Sequence, residues 1–246
     1  MKKALTTIAV LAAVAVPTVA PAEPAAEPAA ETTVARYDFD SGRAPGGMIS
    51  DASGSGDRLR IRAADGGGLR LVRRGNGYAL LFPPRCGAGA TRCPQVLLEG
   101  ARGSRLNPGT RSFRFGAWVA ATPDQVGRSA NVMQKGVSGR SGMWKLQIAG
   151  KKRARANCVL AGRDSATAYI VKSDRTVADG AWHQITCQRT ATRLTILVDG
   201  VAHDSTPVPA GLDIRTDMPL RVGARALRPE ADRYGGAIDD VFVAIG

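Results

Sequence analysis

The sequence predicts an all-β chain folded as a two-sheet antiparallel sandwich, and three observations predict it. Apolar-alternating runs recur about every dozen residues with turn residues between them. No window of helix length after residue 22 keeps an apolar stripe at i, i+3, i+4. Asp179-Gly180 and Asp199-Gly200 bracket two such runs. Asp-Gly between alternating runs signals a hairpin, because glycine accepts the positive φ of tight turns.

The elements follow in order. Residues 34–39 alternate, with Tyr37 and Phe39 on one face. Short runs stand at 59–61 and 69–72, and 78–82 leads into Pro83-Pro84. Residues 112–121 (S-F-R-F-G-A-W-V-A-A) form a long run stopped by Thr122-Pro123-Asp124. Runs at 131–135, 144–148, 158–160 and 168–172 come next, then 182–188 and 193–198 between the Asp-Gly turns. Residues 220–222 and 237–245 close the chain. About a dozen strands in two facing sheets accommodate this pattern.

The first 22 residues read as a secretory signal peptide: Lys2 and Lys3, an apolar run at 8–16, then Ala20-Pro21-Ala22 as the cleavage site. That run is too short to span a bilayer comfortably. Residues 23–33, rich in Ala, Pro and Glu, read as an extended tether that buries no apolar area. Residues 34–246 then form one domain, secreted and monomeric. Gly 29 and Pro 14 in the chain suit many turns.

Four cysteines fit an oxidising compartment and permit three pairings. Cys86 and Cys93 enclose a short Gly/Ala loop, which favours a local bridge. Cys158 and Cys187 sit in strand-like runs, which favours a cross-strand staple. A zinc site has little support, because no C-x-x-C pair is present.

The net charge is +13, and arginine supplies most of it. Arginine forks suit carboxylates, sulfates and phosphates, so an acidic polymer is one expected partner. Arginine scattered evenly over the surface is the other reading. The one compact cluster, Lys151, Lys152, Arg153 and Arg155, follows Gly150 and reads as a hairpin tip.

The stretch D-G-A-W-H-Q-I followed by L-T-I-L-V-D-G resembles the signature of laminin-G-like, concanavalin A-like jelly rolls. Y-D-F-D-S-G, I-S-D-A-S-G-S-G, S-F-R-F-G-A-W-V and G-G-A-I-D-D-V-F-V resemble that family's other strands, in the family's order. The basic 150s hairpin and the Cys86–Cys93 loop depart from it.

The resemblance implies adjacent first and last strands, bringing Asp40 and Asp51 towards Asp239 and Asp240. It also implies a structural calcium ion, with Asp51 and Asp239 as ligands and Asp40 beside them. Calcium takes six to eight oxygens. Asp and Ser capping their own turns is the competing reading.

The same resemblance implies extracellular recognition of carbohydrate. A sugar site pairs an aromatic platform with polar side chains. Trp144 shares a face with Leu146 and Ile148 and belongs to the core, and Trp182 is expected under the hairpin. Trp118 alternates away from Phe113 and Phe115. It is either a platform or part of a second small core.

Catalysis has little support. Glycosidases need two carboxylates flanking the scissile bond. Beyond the tether only Glu99 and Glu230 are present, far apart in sequence. Asp239 and Asp240 are adjacent, so alternation points them to opposite faces. A polysaccharide lyase would need a Tyr or His base beside a cation. His183 belongs to the W-H signature, and His203 is expected to be exposed just after a turn. The sequence therefore predicts a secreted, non-catalytic binding module for carbohydrate or another extracellular polymer. An arginine-driven polyanion binder and a lyase are the alternatives.

Overall fold

The computed structural model describes residues 31–41, 47–87, 90–103, 105–139, 141–150, 153–163, 165–228 and 232–246. The leader, most of the tether, Lys151, Lys152 and Glu230 lie outside the described residues.

The strands are β1 (Thr32–Tyr37), β2 (Met48–Ile49), β3 (Leu59–Ala64), β4 (Arg70–Arg74), β5 (Gly77–Leu81), β6 (Gln95–Glu99), β7 (Phe113–Ala120) and β8 (Ser129–Lys135). They continue as β9 (Met143–Ala149), β10 (Arg155–Ala161), β11 (Ala168–Lys172), β12 (Trp182–Arg189), β13 (Arg193–Val198), β14 (Val201–Pro207), β15 (Leu220–Val222) and β16 (Ala237–Ile245). One helical turn, α1 (Pro123–Val126), caps β7, where the sequence places its Thr-Pro-Asp stop. The strands form two antiparallel sheets. The first runs β14-β13-β12-β7-β16-β5-β4, with β1 also on β16. The second runs β11-β10-β9-β8-β15-β6-β3-β2.

Alternation decides which side chains meet between the sheets. In β7, Phe113, Phe115, Ala117 and Val119 are wholly buried, while Arg114 is exposed and Trp118 half-buried. β9 answers from the other sheet with Trp144, Leu146 and Ile148. The Phe115 and Trp144 rings lie 4.8 Å apart across the interface, and the Trp144 indole N–H donates to the Leu106 carbonyl at 3.2 Å. Gly116 lets β7 lie close to β12, since a Cβ there would sit 2.2 Å from the Ile185 carbonyl oxygen.

Both expected disulfides are present. Cys158 on β10 joins Cys187 on β12, so this bridge ties one sheet to the other inside the core. Cys86–Cys93 closes the local loop. Two inward cations anchor the loops at one end. Lys135 donates to the Thr216 and Met218 carbonyls at 3.0 and 2.7 Å, and Arg189 donates to those of Gly109, Arg111 and Ala210.

Four expectations are corrected. The domain begins two residues before position 34, because Thr32 and Thr33 already pair with Ile245 and Ala244. Strands β2, β6 and β14 add to the expected set. His203 is largely covered rather than exposed, because β14 places it against Asp174. Asp239 and Asp240 do not point to opposite faces. A bulge between Asp239 and Phe242 breaks the alternation, Asp240 takes φ 45°, and both carboxylates reach Arg74.

Candidate functional site

β1 and β16 lie side by side as expected, but the three aspartates proposed as metal ligands are not gathered. Asp51 accepts from the backbone N–H groups of Arg36, Ser53 and Gly56 and from the Ser53 hydroxyl. Burial works against its charge, but these donors hold the carboxyl below the usual range. Asp40 accepts from the Tyr78 N–H at 2.8 Å. Asp239 pairs with Arg74 at 2.7 Å. Oxygens already facing N–H donors do not fit calcium, and no group of three potential ligands stands together among the described residues.

Trp118 and Trp182 share the outward face of the first sheet, half-buried rather than under the hairpin. Arg74 covers both: its guanidinium lies 4.2 Å from the Trp118 ring centre and 5.2 Å from that of Trp182. Asp239 and Asp240 hold the guanidinium there. Of the two readings of Trp118, platform or part of a second small core, the ring's cover by the protein's own cation favours the second. Burial pushes the Asp239 carboxyl up to about 6 despite this pairing.

His183 stands between two aspartates. Its Nδ1 lies 2.8 Å from Asp199 and its Nε2 3.1 Å from Asp179, so one ring joins the two Asp-Gly turns. Of the basic cluster, Arg155 pairs with Ala149 where β9 turns into β10 and Arg153 is exposed beside it, while Lys151 and Lys152 lie outside the described residues.

The unexplained chemistry lies on the outward face of the second sheet. The same alternation that buries Trp144, Leu146 and Ile148 turns Lys145 and Gln147 away from the core. Pairing then lines up Lys172 (β11), Asn157 (β10), Gln147 (β9) and Asn131 (β8) as one row across four strands. The adjoining row holds Ile170, Val159, Lys145, Gln134, Arg221, Glu99 and Arg60. Met143, Val159 and Ala161 form a small apolar cluster on this face, separate from the main core.

The face is recessed: Asn131 is 0% exposed, Asn157 and Gln134 6%, Lys145 8%. Yet its amides are incompletely paired. Both side-chain atoms of Asn131, the Asn157 Oδ1 and the Gln134 Oε1 are buried without a hydrogen-bond partner. Such atoms are costly unless something meets them. Lys145 lies 3.6 Å from Asp232, which also faces Arg225 at 3.8 Å. Burial holds the Lys145 ammonium below the usual lysine range, with Asp232 opposing that shift. Beside the row, Arg62, Leu97, Glu99, Arg221, Ala226 and Leu227 line a 140 Å³ pocket, in which both arginines reach Glu99.

Residues 100–244 match the family model of the concanavalin A-like lectin/glucanases superfamily. The chain belongs to that superfamily. No curated protein matches it. Among solved structures, this superfamily member is similar to the fourth domain of an extracellular arabinanase from Geobacillus stearothermophilus, solved in complex with arabinotriose. The TM-score is 0.65 at 16% identity, covering 88% of this chain and 93% of that one. The binding domain of Paraclostridial Mosquitocidal Protein 1 gives a TM-score of 0.61 at 12% identity, and the receptor binding domain of botulinum neurotoxin D gives 0.60 at 11%. Each covers 86% of this chain, which spans about half (48%) of those two chains. At these identities the likeness establishes the jelly-roll fold, which other proteins use in binding domains.

Sequence reasoning missed Asn131, Gln134, Lys145, Gln147 and Asn157. Part of the signal was present: W-K-L-Q-I and R-A-N-C-V-L put polar side chains at alternate positions, whereas in N-V-M-Q-K only a bulge between Asn131 and Met133 brings Asn131 and Gln134 to one face. Attention to the apolar positions hid the complementary face.

Proposed function

We propose that the protein is a secreted, non-catalytic binding module that recognises carbohydrate through the outward face of the second sheet. One observation carries this reading: unpaired amide atoms of Asn131, Asn157 and Gln134 are buried on a face turned away from the core. A side-chain amide both donates and accepts, which suits the hydroxyls of a sugar. Gln147 extends the row.

A binding role fits the carboxylates better than catalysis does. Glu99 is tied to Arg62 and Arg221, and Asp232 faces Lys145 and Arg225. Neither stands free as the acid or nucleophile of a glycosidase. A buried disulfide between the sheets suits an oxidising destination outside the cell. No helix among the described residues is long and apolar enough to cross a membrane.

A glycan array with wild type and the Asn131→Ala/Asn157→Ala double variant tests the reading. Retention of a glycan subset by wild type, and its loss in the folded variant, is the expected result. Retention unchanged in the variant refutes it.

A further inference from the structure

The two outward faces differ in how far their cations outnumber their carboxylates. On the first sheet, Arg36, Arg74 and Arg114 meet a carboxylate, from Asp240, Asp239 and Glu31 respectively, while among the described residues the outward Arg70 and Arg193 do not, Arg193 donating instead to the Ser205 hydroxyl. On the second sheet, the strands turn outward Arg60, Arg62, Lys145, Arg155, Lys172 and Arg221 against Glu99 alone. Asp232 and Arg225, from the β15–β16 connection, offset one another. Arg60, Arg155 and Lys172 have no carboxylate within ion-pair distance among the described residues. The larger excess of positive charge lies on the face that also carries the unpaired amides.

Charge and amides are arranged over a long span. From Lys172 on β11 to Arg60 on β3 there are six interstrand steps. At about 4.8 Å per step that is ~29 Å. A ligand that reaches the cations at both ends while lying on the amide row has to be a chain.

We propose that the ligand of this face is an acidic polysaccharide, its carboxylates set on Arg155, Lys172 and Arg60 and its hydroxyls on Asn131, Gln147 and Asn157. The proposal rests on the carbohydrate reading above and names its substrate class. Charge complementarity selects a uronate-bearing chain, and the amides distinguish a glycan from any other polyanion.

The test is a titration of the full secreted protein with polygalacturonate, alginate, fully methyl-esterified polygalacturonate, neutral arabinan and double-stranded DNA, at low and high salt. Methyl-esterified polygalacturonate keeps the hydroxyls and loses the charge. The expected result is at least tenfold tighter binding to polygalacturonate or alginate than to the ester, with affinity falling as salt rises. The Arg155→Gln/Lys172→Gln variant should lose about tenfold towards the acid forms and nothing towards the ester. Asn157→Ala should weaken both.

The ester or arabinan binding as tightly as the acids overturns the proposal and leaves the carbohydrate reading standing. No glycan binding at all, or binding indifferent to Asn157→Ala, removes that reading as well. DNA binding equal to that of the uronates and indifferent to Asn157→Ala would mean bare charge attraction, and also overturns the proposal.

Discussion

Asn131 and Asn157 both pair in register with Gln147, one from each side of β9, so the three amides stand on adjacent strands of one face. Neighbouring strands lie about 4.8 Å apart, which puts the two asparagines roughly 10 Å from one another. Both are buried, and both keep side-chain atoms without partners. A pair of core asparagines would be expected to satisfy each other or the backbone. These do neither, although β8, β9 and β10 hold them firmly through a cross-sheet disulfide and a tryptophan core.

Trp118 is expected to serve stability rather than ligand retention. Its ring is stacked by Arg74, which Asp239 and Asp240 hold in place. Trp118→Ala should lower the unfolding free energy by about 1–3 kcal/mol and leave glycan retention unchanged. Chemical denaturation and affinity electrophoresis of the same sample separate the two effects.

Asp239 gives a pH dependence of definite sign. Its folded pKa, pushed up to about 6, lies above the unfolded value of about 4. Between these values the folded state binds more protons than the unfolded chain, so this group's contribution to stability falls as pH rises through the window. Asp239→Asn should therefore raise the melting temperature relative to wild type at pH 7, and the difference should shrink towards pH 4. Scanning calorimetry of both proteins at the two pH values checks it.

The Cys158–Cys187 bridge closes a loop of sequence separation 29. Chain entropy makes such a bridge worth roughly 3–4 kcal/mol. Replacing both cysteines by alanine should cost about that much, and more than the same change at Cys86 and Cys93, whose separation is 7. Guanidinium melts of the two double variants measure the ordering.

Chelation should not affect the fold. Asp51 is held by N–H donors and Asp239 by a guanidinium. The melting temperature should be the same with EDTA and with added calcium. A fall of several degrees on chelation would restore the ion that the family resemblance implies.

The fold was legible because period-2 alternation and Asp-Gly turns are local signals. They place β7, β12 and β13, and the resemblance adds the pairing of β1 with β16. Strand β6 was not legible, because Q-V-L-L-E is buried on both faces and has no alternation to read. The opposing directions of Asp239 and Asp240 failed for a related reason: a bulge has no sequence period. The site was hidden more deeply. Asn131, Gln147 and Asn157 are widely separated in sequence, and only the register of β8, β9 and β10 brings them to one row. Alternation sets Trp118 on the face away from Phe113 and Phe115, but its cover, Arg74, comes from a distant edge strand that composition does not point to.

The most direct test is nuclear magnetic resonance of the side-chain amides. Polygalacturonate oligomers are titrated into nitrogen-15-labelled protein, and the NH₂ resonances of Asn131, Gln147 and Asn157 are followed beside the indole N–H of Trp118. Saturable shifts of the three amides, with Trp118 unmoved, are the predicted result. Shifts at Trp118 with the amides silent would contradict the account.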